Sequence, residues 1–334
     1  MTATIADVAA KAGVSTATVS RVLSGLGRAS AATQARVLEA ARDLDYRPSE
    51  VARSLKRRST QTLGLLITDI ENPYFPQLVR SVEDAARAAG YTVLLCNAAE
   101  DADREAAYLD LLVDRRVDGL VIAASSLGVR HGEWLTSPPI PVVLVNTAAP
   151  DADLPTIMSD NEGGGRMVAE HLLDLGHRRF GYLMPPPRNV DAPARLGGIR
   201  EALRAADVPG DALSIAHGEA LVGGGEAAAN ELLGVAPETT AFIAYNDLMA
   251  IGALRALRRR GRHVPEDASV VGFDDVALAA YVDPPLTTIA QQTEEMGRWA
   301  VGRLTGVDGI GPSSVRLPVA LKVRGSSGPA PTSY

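Results

Sequence analysis

The chain has 334 residues, 46% of them hydrophobic and 22% charged, with a net charge of −7. That length exceeds a single hydrophobic core, and the mixed charge excludes a disordered chain. No apolar run approaches the roughly 20 residues of a membrane helix, and the single cysteine, Cys96, excludes an internal disulfide. The N-terminus lacks the basic patch and apolar stretch of an export signal, so a cytoplasmic protein is expected. The charge is unevenly placed. Residues 1–60 carry ten Lys/Arg against five Asp/Glu, a net of +5, and the remainder twenty-three against thirty-five, a net of −12. A basic head on an acidic body is the footprint of a chain that grips a polyanion at one end, though charge alone favours nucleic acid only weakly.

The head reads as three short helices. Ile5, Val8, Ala9 and Ala12 form the i, i+3, i+4, i+7 stripe of an amphipathic helix that Gly13 ends. Ser15 caps a second helix with an apolar face of Val19, Val22 and Leu23 and a small polar face of Thr16, Ala17, Ser20 and Arg21. Ser30 caps a third, which runs to about Leu44 and is expected to bury Val37, Leu38 and Ala41. Two short helices joined by a glycine turn and braced by a third make a helix-turn-helix. The second helix suits the major groove: Arg21 can give two hydrogen bonds to a guanine, Thr16 one to a base edge, and Ala17 can meet a thymine methyl. Ser15, Thr18, Ser30 and Thr33 stand at helix starts, where phosphates bind. The competing reading is an ordinary three-helix cap on a larger protein.

Asp45–Arg58 is a potential helix capped by Ser49 and followed by a basic run, too short to be stable alone in water. Thr4-Ile-Ala-Asp-Val-Ala, Gly13-Val-Ser, Thr18-Val-Ser-Arg-Val-Leu and Tyr46-Arg-Pro-Ser-Glu-Val-Ala-Arg-Ser-Leu55 closely resemble the lactose/galactose repressor family of bacterial regulators. The resemblance adds Thr4 to the DNA contacts. It also implies that the last segment is a hinge helix that orders on operator DNA, with Leu55 wedged into the minor groove. A helix–helix contact between paired hinges is the alternative for Leu55, and the two are compatible.

From residue 61 strands and helices alternate, the pattern of parallel sheets covered by helices on both faces. The first series is strand 63–67, helix 74–89, strand 91–96, helix 103–115 and strands 119–123 and 142–145. After Ser159-Asp-Asn-Glu-Gly-Gly-Gly a second begins, with helix 166–175, strand 180–183, helices 194–206 and 226–233, strand 241–244, helix 248–260 and strand 270–273. Two such series imply two lobes with a cleft beyond the carboxyl ends of the strands. The resemblance continues through Asp69-Ile-Glu-Asn-Pro-Tyr-Phe75, Arg116-Val-Asp-Gly-Leu120, Tyr245-Asn-Asp-Leu-Met-Ala-Ile-Gly252, Val271-Gly-Phe-Asp-Asp275 and Pro285-Leu-Thr-Thr-Ile289. It implies an all-α helix-turn-helix head on an α/β, two-lobed sensor like the periplasmic sugar-binding proteins. The implied segments are a DNA-binding domain at 1–46, a hinge and linker at 47–60, an N-terminal lobe of 61–160 with 291–320, and a C-terminal lobe of 161–290 with 321–334. Lobe crossings fall near Asp160, Ala290 and Leu321.

Candidate effector contacts lie just after the expected strands. Tyr74 and Phe75 can stack on a ring. Ser125, Asn146, Asp160, Asn246 and Asp274 offer donors and acceptors to hydroxyls, Arg195 a fork, and Gln291 an amide from a lobe crossover. Helix capping or loop ordering is the alternative for Asn246 and Asp274. Each matches a position the family uses for its effector. Ala220 stands where relatives often place an aromatic ring, so that platform is missing. No Gly-x-Ser-x-Gly elbow, phosphate loop or His-Glu-x-x-His occurs, so no enzyme, metal or cofactor is expected. A transporter's solute-binding protein, the other rival, would not carry the head. The expected partners are pseudo-palindromic operator DNA, a carbohydrate-like effector and a second copy of the chain, with no membrane.

Overall fold

The structure is a computed structural model that describes residues 3–23, 29–46, 59–123, 132–147, 149, 152–187, 189–306 and 313–332. The chain forms two compact units, Met1–Gln61 and Thr62–Tyr334.

In the first unit, α1 (Ile5–Ala12) opens on a capping box in which Thr4 accepts from the Asp7 amide and the Asp7 carboxylate accepts from the Thr4 amide. Gly13, at φ +65°, ends α1 in the left-handed region, where glycine avoids the Cβ clash. Helices α2 (Thr16–Leu23) and α3 (Ala31–Asp43) follow, α3 capped by Ser30. Val8, Ala9, Ala12, Val19, Val37, Ala40 and Ala41 close a small core, edged by Ile5, Val14, Val22, Leu23, Leu44 and Tyr46. One expectation fails: Leu38 is 46% exposed. The inward stripe of α3 runs through Val37, Ala40 and Ala41, spaced i, i+3, i+4, and Leu38 lies about 100° around the helix from Val37.

The second unit holds two parallel sheets. Its strands are β1 (Thr62–Ile67), β2 (Thr92–Asn97), β3 (Gly119–Ala123), β4 (Val142–Val145), β5 (Thr156–Ser159), β6 (Phe180–Met184), β7 (Leu213–His217), β8 (Ala241–Ala244), β9 (Ser269–Val271), β10 (Thr288–Ala290), β11 (Ser314–Leu317) and β12 (Ala320–Lys322). Six strands run in the order β11-β5-β4-β3-β1-β2 and four in the order β7-β6-β8-β9, while β10 and β12 pair antiparallel. Strands β3 and β4 are buried along their whole length, as strands covered on both faces are.

The helices of this unit are α4 (Tyr74–Ala88), α5 (Ala102–Asp114), α6 (Gly132–Thr136), α7 (Asn161–Asp174), α8 (Ala192–Ala205), α9 (Val222–Val235), α10 (Asp247–Arg259) and α11 (Thr293–Thr305). The sequence reading starts α7 at Arg166. The helix begins five residues earlier and runs through Gly163–Gly165, because those glycines admit neighbours at van der Waals range. A Cβ on Gly165 would overlap the Arg195 carbonyl oxygen of α8, and one on Gly164 would lie 2.6 Å from the Phe273 ring. The chain passes between the sheets after β5, after β10 and between β11 and β12. His177 follows the end of α7 fully buried, one ring nitrogen 2.9 Å from Thr240 and the other 2.9 Å from Ser269 and 3.1 Å from the Gly328 carbonyl, which pins the C-terminal segment. Among the described residues no helix is long and apolar enough to cross a membrane.

Candidate functional site

In the first unit, α2 turns Val19 into the core and leaves Ser15, Thr16, Ala17 and Arg21 exposed. The Ser15 hydroxyl accepts from the Thr18 amide at 3.2 Å and the Ser30 hydroxyl from the Thr33 amide at 3.3 Å. These caps, with Thr4 on α1, fix the first turns whose remaining N–H groups suit phosphate. The Arg21 Nε donates to the Ala17 carbonyl at 3.3 Å, which draws the side chain back along the helix. Leu55 lies outside the described residues.

In the second unit the carboxyl ends of strands from both sheets converge on one narrow cleft with a cavity volume of about 60 Å³. Thr68 and Asp69 follow β1, Asn72, Tyr74 and Phe75 enter α4, Glu100 follows β2, and Asn146 follows β4. Opposite them stand Asn189, Asp191 and Arg195 around the start of α8, Ala220 and Leu221 after β7, Tyr245 and Asn246 after β8, Asp274 after β9 and Gln291 after β10.

Arg195 organises one wall. It is 4% exposed. Its Nε donates to Asn161 Oδ1 at 2.9 Å, one Nη to the Tyr245 carbonyl at 2.5 Å, and the other to Asp191 Oδ2 at 2.5 Å. Its guanidinium carbon lies 4.4 Å from the Tyr245 ring centroid and 3.6 Å from that of Phe273. Burial disfavours the charge on Arg195, but Asp191 foremost, with Tyr245, Asp274 and Tyr182, together more than offset that, so the group stays charged. The Tyr245 hydroxyl donates to the other Asp191 oxygen at 2.7 Å.

A second network lines the floor. Asn146 donates to the Tyr74 hydroxyl at 2.6 Å and to Gln291 Oε1 at 2.9 Å, and accepts from the Ser159 amide at 2.8 Å. Gln291 donates to Asp274 Oδ1 at 2.7 Å. Asn146 (φ +47°) and Asp274 (φ +121°) both stand in a backbone region that side chains disfavour, strain of the kind concentrated at binding sites.

Burial pushes the Asp274 carboxyl up to about 7 from its ordinary 3.8, against the downward pull of Arg195 and Gln291. Between about pH 4 and 7 the folded chain therefore keeps a proton that the unfolded chain has released. Stability falls as pH rises through that window, by at most about 1.4 kcal/mol per pH unit, and the fall ends above 7. Thermal midpoints of the parent and Asp274→Asn from pH 4.5 to 8 check this. The variant is expected to lose part of the downward slope, and parallel curves would remove Asp274 as its source.

The cleft gathers Tyr74, Phe75, Asn146, Arg195, Asn246, Asp274 and Gln291 from the sequence candidates. The Tyr74 and Phe75 rings are buried and meet edge-on at 5.3 Å, so they form the floor of the cleft. Asn246 lines the cleft, yet its amide already donates to the Ala220 carbonyl at 2.9 Å and caps α10 through the Met249 amide at 2.9 Å. Asp160 lies outside the lining. It caps α7 through the Gly163 amide at 3.1 Å and stands 3.8 Å from Arg316. Ser125 falls outside the described residues. Sequence reasoning missed Asp69, Asn72, Glu100, Asn189, Asp191 and Tyr245. For Asp191 a signal existed, since it precedes Arg195 by four residues at the mouth of an expected helix.

Residues 4–49 match the family described as bacterial regulatory proteins, lacI family, and residues 169–327 match a periplasmic binding protein-like domain. The HTH-type transcriptional repressor CytR of Escherichia coli strain K12 is 36% identical over 331 residues, which cover 97% of this chain and 96% of that protein. Among solved structures, the lac repressor dimer bound to operator and the anti-inducer ONPF is similar at a TM-score of 0.87 and 28% identity, over 98% of this chain and 100% of that one. The transcriptional regulator CelR–cellobiose complex is similar at 0.73 and 34% identity, over 97% and 99%.

Proposed function

The chain belongs to the lacI family of bacterial regulatory proteins and is a DNA-binding transcriptional regulator, not an enzyme, and on that premise we propose that it is a homodimeric repressor whose grip on a pseudo-palindromic operator depends on a small carbohydrate effector in the cleft. The observation that carries the reading is the joining, in one chain, of an exposed helix bearing Thr16, Ala17 and Arg21 to a polar cleft built from the strand ends of two sheets. The dimer and the effector class draw support from relatives solved as a dimer on operator and as a cellobiose complex.

Two heads take half-sites one helical turn apart. Arg21 reads a guanine, Thr16 and Ala17 read neighbouring edges, and Thr4, Ser15, Thr18, Ser30 and Thr33 hold phosphates. Leu55 opens a base step in the minor groove. Asn146, Arg195, Asp274 and Gln291 hold the effector. An effector alters operator affinity only by the difference in its binding to two lobe arrangements, typically about 1–3 kcal/mol, or five- to 150-fold.

Selection of binding sites from genomic fragments, followed by fluorescence anisotropy, tests the reading. Arg21→Ala is expected to cost about 1–3 kcal/mol at one base pair and to relax the preference there. Lys56→Ala weakens all sequences alike. Leu55→Ala weakens operator binding and leaves effector binding unchanged. Identical base preferences in the Arg21 and Lys56 variants would remove Arg21 from base reading, and unchanged affinity in the Leu55 variant would remove the wedge. A parent chain that retains no genomic fragment selectively, with or without metabolites, would end the regulator reading.

A further inference from the structure

Asp247, the first residue of α10, is fully buried, and it does not line the cleft that Asn246 and Asp274 line. It stands behind the turn that carries Asp274. Its amide donates to the Phe273 carbonyl at 2.9 Å, and its Oδ2 accepts from the Val276 amide at 2.8 Å. The two bonds bracket Asp274 and Asp275, which take φ +121° and +53°. Two successive residues with side chains in that region cost energy, and they persist only where the surroundings fix both ends of the turn. A third bond reaches β10, where the Thr288 hydroxyl donates to Asp247 Oδ1 at 2.5 Å. Thr288 precedes Ile289, whose carbonyl accepts from the Asp274 amide at 2.8 Å, and Gln291, two residues further on, donates to Asp274 Oδ1. One carboxylate thereby ties together the turn and the strand that aim the Asp274 side chain. Glycine at 272 makes room for it, since a Cβ there would lie 2.2 Å from Asp247 Oδ1. Burial foremost, then the Asp274 charge, pushes the Asp247 carboxyl well above its ordinary range, so the place is a costly one for a carboxylate. Packing alone does not require it, because apolar groups fill such space at least as well.

Resting on the effector reading above, we infer that Asp247 is a positioning residue for effector binding: its carboxylate holds the turn at 274–275 against β10, so that Asp274 stands in the cleft wall already aimed. Asparagine has the shape and the atoms to do the same. Its Oδ1 can accept from the Val276 amide while its Nδ2 donates to the Thr288 oxygen. Alanine keeps only the backbone bond to Phe273. The turn then relaxes, and Asp274 leaves its buried place.

The test titrates Asp274 in the full chain by NMR of the aspartate carboxyl carbons, with Asp274→Asn to assign the resonance. Calorimetry with D-ribose, D-glucose, cellobiose and adenosine accompanies it. In the parent, burial holds the Asp274 carboxyl up at about 7, and Arg195, Asp191, Tyr74 and Tyr245, the other titratable groups facing it, are the same in every variant. Asp247→Ala is expected to bring that midpoint down toward 3.8 and to weaken the tightest-bound probe about tenfold or more. Asp247→Asn is expected to bind the probe within about threefold of the parent and to titrate Asp274 about one pH unit or more above the alanine variant. Both variants lose the same carboxylate, so the difference between them reports where Asp274 stands. Thr288→Val keeps the shape of the side chain and removes one of the three bonds. It is expected to fold as the parent does and to move both readings in the alanine direction by less, and it decides the matter if Asp247→Ala does not fold. Equal Asp274 midpoints in the alanine and asparagine variants overturn the inference, as do an asparagine variant that binds as weakly as the alanine one and parent values throughout in Thr288→Val. If no probe binds, the midpoints decide alone. Operator anisotropy on the same samples keeps two failures apart: a parent without selective DNA binding sinks the regulator reading, whereas selective binding with unmoved Asp274 midpoints sinks this inference alone.

Discussion

Gly198→Ala is expected to lower the stability of the second unit by about 1–3 kcal/mol or more, while Gly197→Ala, one residue away, is expected to raise it by up to about 1 kcal/mol. The two glycines sit side by side on α8 and differ in what a methyl group would meet. At Gly197 the space is open, so alanine removes the entropy cost of a helical glycine and strains nothing. At Gly198 a Cβ would overlap the Glu162 carbonyl oxygen and come within 2.8 Å of the Arg166 amide nitrogen, both backbone atoms of α7. Backbone cannot rotate aside as a side chain can, so α7 and α8 must separate, and overpacking of that kind costs about 1–3 kcal/mol or more. The same crossing holds Arg195, whose carbonyl oxygen faces Gly165 and whose Nε meets Asn161 at the start of α7. Gly198→Ala is therefore also expected to weaken binding of whichever effector the parent chain takes. Urea denaturation of the two variants checks the stability difference, and equal midpoints would show that the helices have room to part.

That contrast marks where the sequence was legible. The head declared itself because its signals are local: an eight-residue apolar stripe, a serine or threonine at each helix start, and Gly13 where the chain must take φ +65°. Strands such as β3 and β4 showed as continuous apolar runs because both their faces are buried. The triple glycine before Arg166 read as a loop because glycine disfavours helix locally, and the reason it is helical lies in α8, thirty residues on. Leu38 was misplaced by one step around α3, since a single apolar pair at 37 and 38 leaves the inward direction open and only the packing against α1 decides it. Strands β10, β11 and β12 are three or four residues long and have no period to read.

The cleft divides in the same way. Arg195, Asp274 and Gln291 were named from residue type and from positions that the family resemblance implies, Asp274 also from its place after an expected strand. What gives them their properties comes from far along the chain: the Tyr245 carbonyl, the Phe273 ring and Asn161 around Arg195, and Asn146 behind Gln291. Asn246 shows the limit of residue type. The side chain lies on the wall, yet both ends of its amide are occupied by backbone groups.

Asp191→Ala is expected to destabilise the second unit by about 3–5 kcal/mol, the larger effect of the two. Arginine cannot shed its proton to escape a dry site, so removal of the carboxylate leaves a guanidinium that is 4% exposed with no opposing charge on that nitrogen, and an uncompensated buried charge costs that much. The Tyr245 hydroxyl loses its acceptor in the same stroke. The Tyr245 and Phe273 rings against Arg195 remain and recover only part of the loss, since a cation–π contact is worth about 2 kcal/mol when desolvated. Replacing both partners separates the cost of breaking the pair from the worth of having it. Asp191→Leu with Arg195→Met removes the charges together, and buried pairs exchanged for apolar groups of similar volume are often neutral in stability. The double variant is therefore expected to be more stable than Asp191→Ala although it carries one more substitution, and to lose effector binding all the same. Chemical denaturation, with calorimetry on a sugar that the parent chain binds, reads both quantities. A double variant less stable than Asp191→Ala would mean that the Arg195 side chain holds α7 against α8 by its packing rather than by its charge.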